Sequence, residues 1–180
     1  MCYNKTVPGQ RPGLGRANVN SLIIFFSYTG RTHYEAKRLW ERVGGELYEI
    51  WEQKHRSRLS AYLFGPGQAR RRAVPVIEPV AVSLDEYDKI YILCPIWGGW
   101  PAPAFNAIVR ELTPGADVEL IFTSDSGRMK DINAVAKRVE LQGVRVTGAK
   151  VVKTENLMKR ERRHFKKSRK TKREAKKDSF

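Results

Sequence analysis

A polar segment at residues 27–32 has the residue types of an anion-binding turn. It follows an apolar run, precedes a stretch with helical periodicity, and reads Ser27, Tyr28, Thr29, Gly30, Arg31 and Thr32. The N–H groups at the start of a helix carry partial positive charge and bind phosphate. Hydroxyls add donors, glycine allows a close turn and arginine adds charge. We predict a phosphate cradle, although each single hydroxyl is also compatible with a helix cap.

A second segment combines aromatic residues with glycines after the third apolar run of the chain. It reads Pro95, Ile96, Trp97, Gly98, Gly99, Trp100 and Pro101. Two indole rings and two glycines in a loop make a flat, apolar wall, and planar heteroaromatic ligands bind such walls. Trp100 lies next to the following helix, so packing beneath the loop explains it at least as well as ligand contact. We expect residues 95–99 to contact a planar ligand.

A third segment ends the fourth apolar run with small polar residues, in the order Thr123, Ser124, Asp125, Ser126 and Gly127. These residue types are common in turns and helix caps, so the segment alone indicates little. At the end of a neighbouring strand it would close the same crevice from the opposite side. We expect it to form the other rim of the site.

Several other chemistries find no support in the sequence. The segment at 27–32 contains neither the Gly-Lys-Ser/Thr of a nucleoside-triphosphate loop nor the Gly-x-Gly-x-x-Gly of dinucleotide sites. The histidines, His33, His55 and His164, have no companions at metal-ligand spacing, so we expect no metal site. Cys2 and Cys94 lie far apart, which argues against a disulfide framework and against a zinc site.

Apolar runs and amphipathic helices alternate from residue 21 onward. Helical spacing of apolar residues begins at Ala36, Phe105 and Ile132, after the first, third and fourth runs. Such alternation is typical of parallel βαβ units, because a parallel neighbour needs a crossover. We predict an α/β protein, a doubly wound three-layer sandwich with a five-stranded parallel sheet. The predicted strands are Leu22–Phe26, Glu46–Trp51, Ile90–Cys94, Val118–Phe122 and Val144–Val152.

Polar residues in the second and fifth predicted strands indicate where these strands lie. A strand covered on both faces is uniformly apolar, whereas an edge strand can show polar side chains. The order 2-1-3-4-5 places the second and fifth strands at the edges, whereas the order 3-2-1-4-5 would bury the second. We therefore predict 2-1-3-4-5, in which strands 1 and 3 are neighbours at the switch point where ligands of doubly wound sheets bind.

The connection between the second and third strands, residues 52–84, is unusually long. We expect a basic helix at Arg56–Leu63 and a break at residues 65–67, Gly-Pro-Gly. Connections of this length carry function or are mobile.

The charge of the chain is concentrated at its end. The 180 residues carry a net +15, and residues 150–180 hold 14 basic and 4 acidic residues, a net +10. We predict a flexible leader at 1–20, one domain at 21–155, and a basic extension at 156–180, in part helical. The extension is either solvated or binds nucleic acid, an anionic membrane or an acidic protein. No apolar run suits a membrane span or a signal peptide, so we expect a cytoplasmic protein.

The three loops together resemble the flavodoxin-like family, which binds flavin mononucleotide (FMN). Ser27-x-Thr29-Gly30-x-Thr32 is similar to the phosphate loop of the family, and the sequence from Tyr87 to Gly98 is similar to its third strand and first flavin loop. The resemblance covers residues 21–153. It implies that residues 27–32 hold the phosphate, 95–99 the ribityl chain and part of the ring, and 123–127 the opposite rim.

The chain departs from the family in its last loop, where flavodoxins often stack an aromatic residue on the ring. No aromatic residue lies between Thr123 and Lys130, so one face of the flavin would be open or covered by the insertion at 52–84. An open face admits a hydride donor or a quinone-like acceptor. The resemblance implies an electron-transfer flavoprotein or an FMN-dependent reductase, served by a redox partner protein or a nicotinamide donor. The alternative is a non-redox binding module whose basic extension engages nucleic acid or an acidic protein.

Overall fold

The computed structural model describes residues 20–54 and 56–154, which form an α/β sandwich. The predicted leader, apart from Asn20, and the basic extension lie outside the described residues. The strands are β1 (Ser21–Phe25), β2 (Glu46–Glu49), β3 (Lys89–Trp97), β4 (Trp100–Pro101), β5 (Asp117–Ser124) and β6 (Arg145–Lys153). The helices are α1 (Arg31–Val43), α2 (Arg58–Arg70), α3 (Ala104–Arg110) and α4 (Ile132–Glu140), and a 3-10 turn spans Leu84–Glu86.

Five strands form a parallel sheet in the order β2-β1-β3-β5-β6, which confirms the predicted fold class and strand order. Strand β4, which the sequence analysis did not predict, pairs antiparallel with the end of β3. The central strands β1, β3 and β5 carry the continuous apolar runs, since helices cover both of their faces. Their carboxyl ends therefore lie side by side at one edge of the sheet, where the three candidate loops begin.

The core has two parts, one on each face of the sheet, and alternate residues of β1 enter each part. Leu22 and Ile24 pack in the cluster formed with α3 and α4, whereas Ile23 and Phe25 pack with Leu39 of α1. All five side chains are buried. Successive side chains of a strand point to opposite faces, so a fully apolar strand is what a three-layer sandwich requires. No helix in the described part of the chain is long and apolar enough to cross a membrane.

The predicted helix break at residues 65–67 is wrong, because α2 continues through the Gly-Pro-Gly sequence to Arg70. Pro66 has no N–H group to donate within the helix, which normally weakens a helix interior. Close packing of α2 on the β3–β4 hairpin compensates for this loss of helix stability. A Cβ atom at Gly65 would lie 2.8 Å from Cε3 of Trp97, so only glycine lets the helix approach this closely.

Candidate functional site

The loops that follow β1, β3 and β5 enclose a cavity of about 540 Å³ at the carboxyl edge of the sheet. Its size is within the range of small-molecule sites, and its position is the one expected for a doubly wound sheet. The predicted site residues that line it are Thr29, Arg31, Thr32, Pro95, Ile96, Trp97, Gly98, Gly99, Thr123, Ser124, Asp125 and Ser126. Three further predicted residues, Ser27, Gly30 and Gly127, are not part of the lining.

Ser27 and Gly30 shape the first loop instead of facing the cavity. The Oγ atom of Ser27 accepts a hydrogen bond of 3.1 Å from the N–H of His33, so this hydroxyl caps the start of α1. Gly30, directly before α1, has φ +83°, a left-handed conformation that favours glycine. Apart from its two chain neighbours, no atom of the described residues lies within 4 Å of the position of a Cβ at Gly30, so the space above this turn is open.

The two threonines of the first loop differ in exposure. Thr29 is exposed, whereas Thr32 is buried at 1% exposure, with its Oγ1 atom 2.8 Å from Oγ1 of Thr123. One of these two hydroxyls donates to the other, and the bond joins the first loop to the end of β5. Thr32 therefore positions the loops, and Thr29 is the threonine that can donate to a ligand.

An ion pair crosses the cavity between the first and third loops. The guanidinium of Arg31 contacts the carboxylate of Asp125, which also accepts a hydrogen bond of 3.0 Å from Oγ1 of Thr154. Thr154 is held in turn, because its N–H donates to the carbonyl of Ser124 at 3.0 Å. Asp125 is thus fixed by β6 and competes with any anionic ligand for Arg31.

The second loop is a β-hairpin with a two-residue turn. Gly98 and Gly99 have φ +59° and +90°, as in the type I′ turns that favour glycine at both positions. Pro95 accepts a hydrogen bond of 2.9 Å from the N–H of Ala102, next to the β3–β4 pair. The Gly-Gly pair between two tryptophans is the sequence signal that would have predicted this hairpin.

Trp97 forms a fixed wall of the cavity. Its ring makes edge contacts with Phe26 at 6.2 Å and Tyr28 at 5.7 Å between centroids, and Cζ of Arg56 lies 5.8 Å from its centroid. Gly65 of α2 packs directly against the ring. Trp100 lies outside the cavity lining and packs against the main core, which supports the packing explanation for this residue.

The cavity lining also contains residues that were not predicted from the sequence, namely Arg128, Met129 and Lys130 of the third loop and Thr154, which follows β6. The N–H of Lys130 donates to the carbonyl of Gly99 at 3.0 Å, which ties the third loop to the hairpin. Gly127, by contrast, turns the chain with φ +69° and packs against Lys153. The sequence signal for residues 128–130 is that the loop continues beyond Gly127 as far as Asp131, which caps α4.

The charges around the cavity favour an anionic ligand. Of the residues that the structure describes, Arg31, Arg128 and Lys130 line it together with a single carboxylate, that of Asp125. Beneath the site, Cys94 is fully buried, and this burial raises the pKa of its thiol well above the usual range. The thiol therefore stays protonated and serves as packing, as thiols do in apolar surroundings.

A second cavity, of about 1180 Å³, adjoins the first. It shares with the first cavity Thr29, Asp125 and residues 96–98, and its remaining walls come from the β1 loop, Arg56 and α2. The insertion between β2 and β3 thus builds part of this second cavity.

Comparison with solved structures identifies the architecture. No family model matches the sequence, and the search of curated proteins gave no match. A flavoprotein of Lactobacillus acidophilus NCFM, in complex with FMN, superimposes with a TM-score of 0.62 at 22% identity, over 74% of this chain and 93% of that chain. Its apo form gives a TM-score of 0.54 at 20% identity, over 76% and 94% of the two chains.

A candidate flavoprotein of Bacteroides uniformis ATCC 8492 gives a TM-score of 0.62 at 23% identity, over 79% of this chain and 99% of that chain. At such identities the comparisons establish the fold. They agree with the strand order β2-β1-β3-β5-β6, which is the order of flavodoxin-like sheets. The chain therefore has the flavodoxin-like fold.

Proposed function

We propose that the protein binds FMN noncovalently in the 540 Å³ cavity and uses it for electron transfer or for the reduction of a substrate. The observation that carries the proposal is the combination of an anion-binding turn and apolar side chains in one cavity. Thr29 and Arg31, next to the start of α1, supply a hydroxyl and a cation, and Ile96, Trp97 and Met129 supply apolar surface. FMN likewise combines a phosphate with a planar ring.

The donor set fits the phosphate end of FMN. The first turn of a helix has N–H groups without intrahelical acceptors, and α1 begins directly after Gly30. Thr29 and Arg31 add a hydroxyl and a guanidinium, which pair well with phosphate oxygens. The open space above Gly30 leaves room for such a group. The chain thus provides an anion site without the motifs of nucleoside-triphosphate loops.

The remaining residues would orient the ring and set its surroundings. Bound FMN supplies one-electron and two-electron redox chemistry, while the protein tunes it through charge, hydrogen bonding and exclusion of water. The hairpin wall, with Ile96 and Trp97, excludes water from one side of the site. Arg128 and Lys130 lie in the same cavity and favour negative charge on the group held there. A redox partner protein or a nicotinamide donor would deliver the electrons.

Flavin titration tests this proposal. The full chain, stripped of bound flavin, is titrated with FMN and with riboflavin, and quenching of the flavin fluorescence is followed. We expect saturation at one equivalent of FMN and weaker binding of riboflavin, which has no phosphate. If FMN shows no saturable binding, the proposal is wrong.

A matched pair of variants localises the phosphate. Thr29→Val removes an exposed hydroxyl and should weaken FMN binding by about 1 kcal/mol, or about fivefold, with no effect on riboflavin. Thr113→Val is the control, because residue 113 lies between α3 and β5 at the opposite edge of the sheet. Equal effects of both variants would contradict the assignment of the first loop.

The non-redox alternative depends on the basic extension at 156–180. This segment lies outside the described residues, and nothing in the described part of the chain favours that function over FMN binding.

A further inference from the structure

The connection between β2 and β3 concentrates the exposed apolar surface of the described chain. Nine large apolar side chains are exposed among the described residues, and seven of them lie in this connection. The seven are Trp51, Leu59, Tyr62, Leu63, Phe64, Val74 and Val76. Single exposed apolar residues are ordinary on a protein surface, whereas a cluster of them marks an interaction site. Four of the seven lie on α2, which is therefore a candidate interaction surface.

Helix α2 carries small residues on its buried side and large ones on its exposed side. Its buried positions are Ala61, Gly65 and Ala69, which repeat every four residues. The exposed fractions of Leu59, Tyr62, Leu63 and Phe64 are 68%, 81%, 58% and 60%. A surface helix of a globular protein normally buries its large apolar residues and exposes polar ones. The burial of these four side chains, which we call the α2 surface, is thus still available to a partner.

The helix is held firmly, so the α2 surface is already formed. Gly65 packs against the ring of Trp97. The N–H of Ser60 donates to Oγ of Ser57 at 3.2 Å, which caps the start of the helix. The segment after the helix is anchored as well, since Nδ2 of Asn106 donates to the carbonyl of Ala73 at 3.0 Å. A preorganised surface loses little conformational entropy when it binds a partner.

Cations flank the α2 surface on both sides along the chain. Residues 53–77 contain six lysine and arginine residues and no aspartate or glutamate. Lys54 is exposed before the helix, and Arg70, Arg71 and Arg72 are exposed at its end. Arg56 differs from these, because it is ion-paired with Glu52, with Nη2 and Oε1 3.2 Å apart. The surface therefore combines large apolar side chains with positive charge.

This combination is complementary to a membrane surface that contains anionic lipids. A helix that lies in the plane of such a surface inserts its apolar side chains by about 5–10 Å, while its cations contact the lipid headgroups. A second copy of this chain is a poorer match. A two-fold symmetric contact through the α2 surface would place two patches of like charge against each other, which is unfavourable.

We propose that α2 binds the surface of membranes that contain anionic phospholipids. Leu59, Leu63 and Phe64 would enter the lipid, and the arginines at 70–72 would contact the phosphates. The inference is independent of the proposed function, because Leu59 and Phe64 line neither of the two cavities next to the hairpin.

Flotation of the full chain with lipid vesicles tests the proposal. One set of vesicles consists of phosphatidylcholine alone, and the other contains phosphatidylcholine and phosphatidylglycerol at a ratio of about 7:3. We expect saturable binding to the anionic vesicles at physiological salt, and at least about tenfold weaker binding to the neutral ones. If the chain does not bind the anionic vesicles, the proposal is wrong.

A matched pair of apolar variants places the contact on α2. Leu59→Ser and Phe64→Ser should each weaken vesicle binding by about fivefold, because an apolar side chain is lost from the lipid. Leu141→Ser is the control, since Leu141 is 82% exposed directly after α4. All three variants retain residues 155–180, so the charge of that segment is the same throughout. Equal effects of Leu59→Ser and Leu141→Ser would overturn the proposal.

A matched pair of charge variants tests the part played by the arginines. Arg70 and Arg42 each lie in the last turn of a helix of 13 residues, α2 and α1 respectively. Arg70→Gln should weaken binding to the anionic vesicles by about fivefold, and this loss should shrink at high salt. Arg42→Gln should change binding by less than about twofold, because exposed charges far from the lipid are screened. The same loss for both variants would contradict a contact through α2.

Two further measurements separate this inference from its alternatives. If sedimentation equilibrium without lipid shows a dimer that Leu59→Ser dissociates, and vesicle binding is insensitive to that variant, the surface belongs to a second copy and the proposal is wrong. The α2 variants should bind FMN and unfold with heat as the wild type does, since the substituted side chains are exposed. A wild-type chain that binds no FMN would contradict the proposed function alone, and the vesicle experiment would still decide the inference.

Discussion

Asp125 is the one carboxylate among the described residues that line the cavity we assign to FMN, and its removal should strengthen FMN binding. Its partner Arg31 is 36% exposed and Asp125 itself 57% exposed, so their ion pair contributes at most about 1 kcal/mol to stability. A phosphate that approaches Arg31 would meet a carboxylate only a few ångströms away. Asp125→Asn removes this repulsion and retains an oxygen that can accept the hydrogen bond of Thr154.

The size of the effect follows from Coulomb's law. Two unit charges about 6 Å apart interact by about 0.7 kcal/mol in water and by about 2.8 kcal/mol at an effective dielectric constant of about 20. The exposure of Asp125 favours the lower part of this range. We therefore expect Asp125→Asn to tighten FMN binding by about 1 kcal/mol, or about fivefold, and to leave riboflavin binding unchanged.

The assay is fluorescence titration of the flavin-free chain with both flavins at low and high salt. The gain for FMN should shrink at high salt, because exposed charges are screened. Arg31→Gln should act in the opposite direction and weaken FMN alone by about 1.5–3 kcal/mol, as expected for a charge-assisted hydrogen bond. Weaker FMN binding by Asp125→Asn, or an equal change for riboflavin, would refute competition between Asp125 and the phosphate.

Two further predictions concern stability. Gly65→Ala should destabilise the chain by about 1–3 kcal/mol in urea unfolding, since its Cβ would overlap the clamped ring of Trp97. Gly67→Ala, with open space around it, should instead stabilise the helix by about 0.5–1 kcal/mol, and a similar loss for both variants would contradict the packing argument. Hydrogen bonds from Arg145 lower the pKa of Asp117 from its usual 3.8. This carboxylate therefore stabilises the fold at pH values above 3.8, and the stabilisation is lost as the pH falls through the lowered pKa. The difference in the free energy of unfolding between wild type and Asp117→Asn should be present at about pH 6 and disappear in strong acid, whereas a constant difference would exclude the pKa as its origin.

The strands and their order could be predicted because a strand that is buried on both faces has a continuous run of apolar residues in the sequence. Residues 90–94 are apolar throughout, and the structure places them at the centre of the sheet. The site loops could be located for the same reason, because they begin where these runs end. The contacts between these loops could not be predicted, because Thr32 and Thr123 meet only through the pairing of separate strands.

The errors have a common physical cause. The Gly-Pro-Gly sequence is a helix breaker by local propensity, and contact of Gly65 with Trp97 outweighs that propensity in the folded chain. Thr154 enters the site because β6 pairs with β5 and brings its end next to Asp125. No spacing within either segment encodes such a contact. The β4 hairpin differs, because its Gly-Gly turn is visible in the sequence, whereas the prediction from it was only a flat, apolar wall.

The turn at Gly98 and Gly99 is enclosed from both sides, by Pro66 and by Lys130. This arrangement should restrict which residues related sequences accept at the position of Gly98. A type I′ turn alone tolerates asparagine or aspartate at its first position. Relatives that lack a helix equivalent to α2 should therefore accept these residues in place of Gly98, whereas those that retain the helix should keep glycine, so the two features should be inherited together.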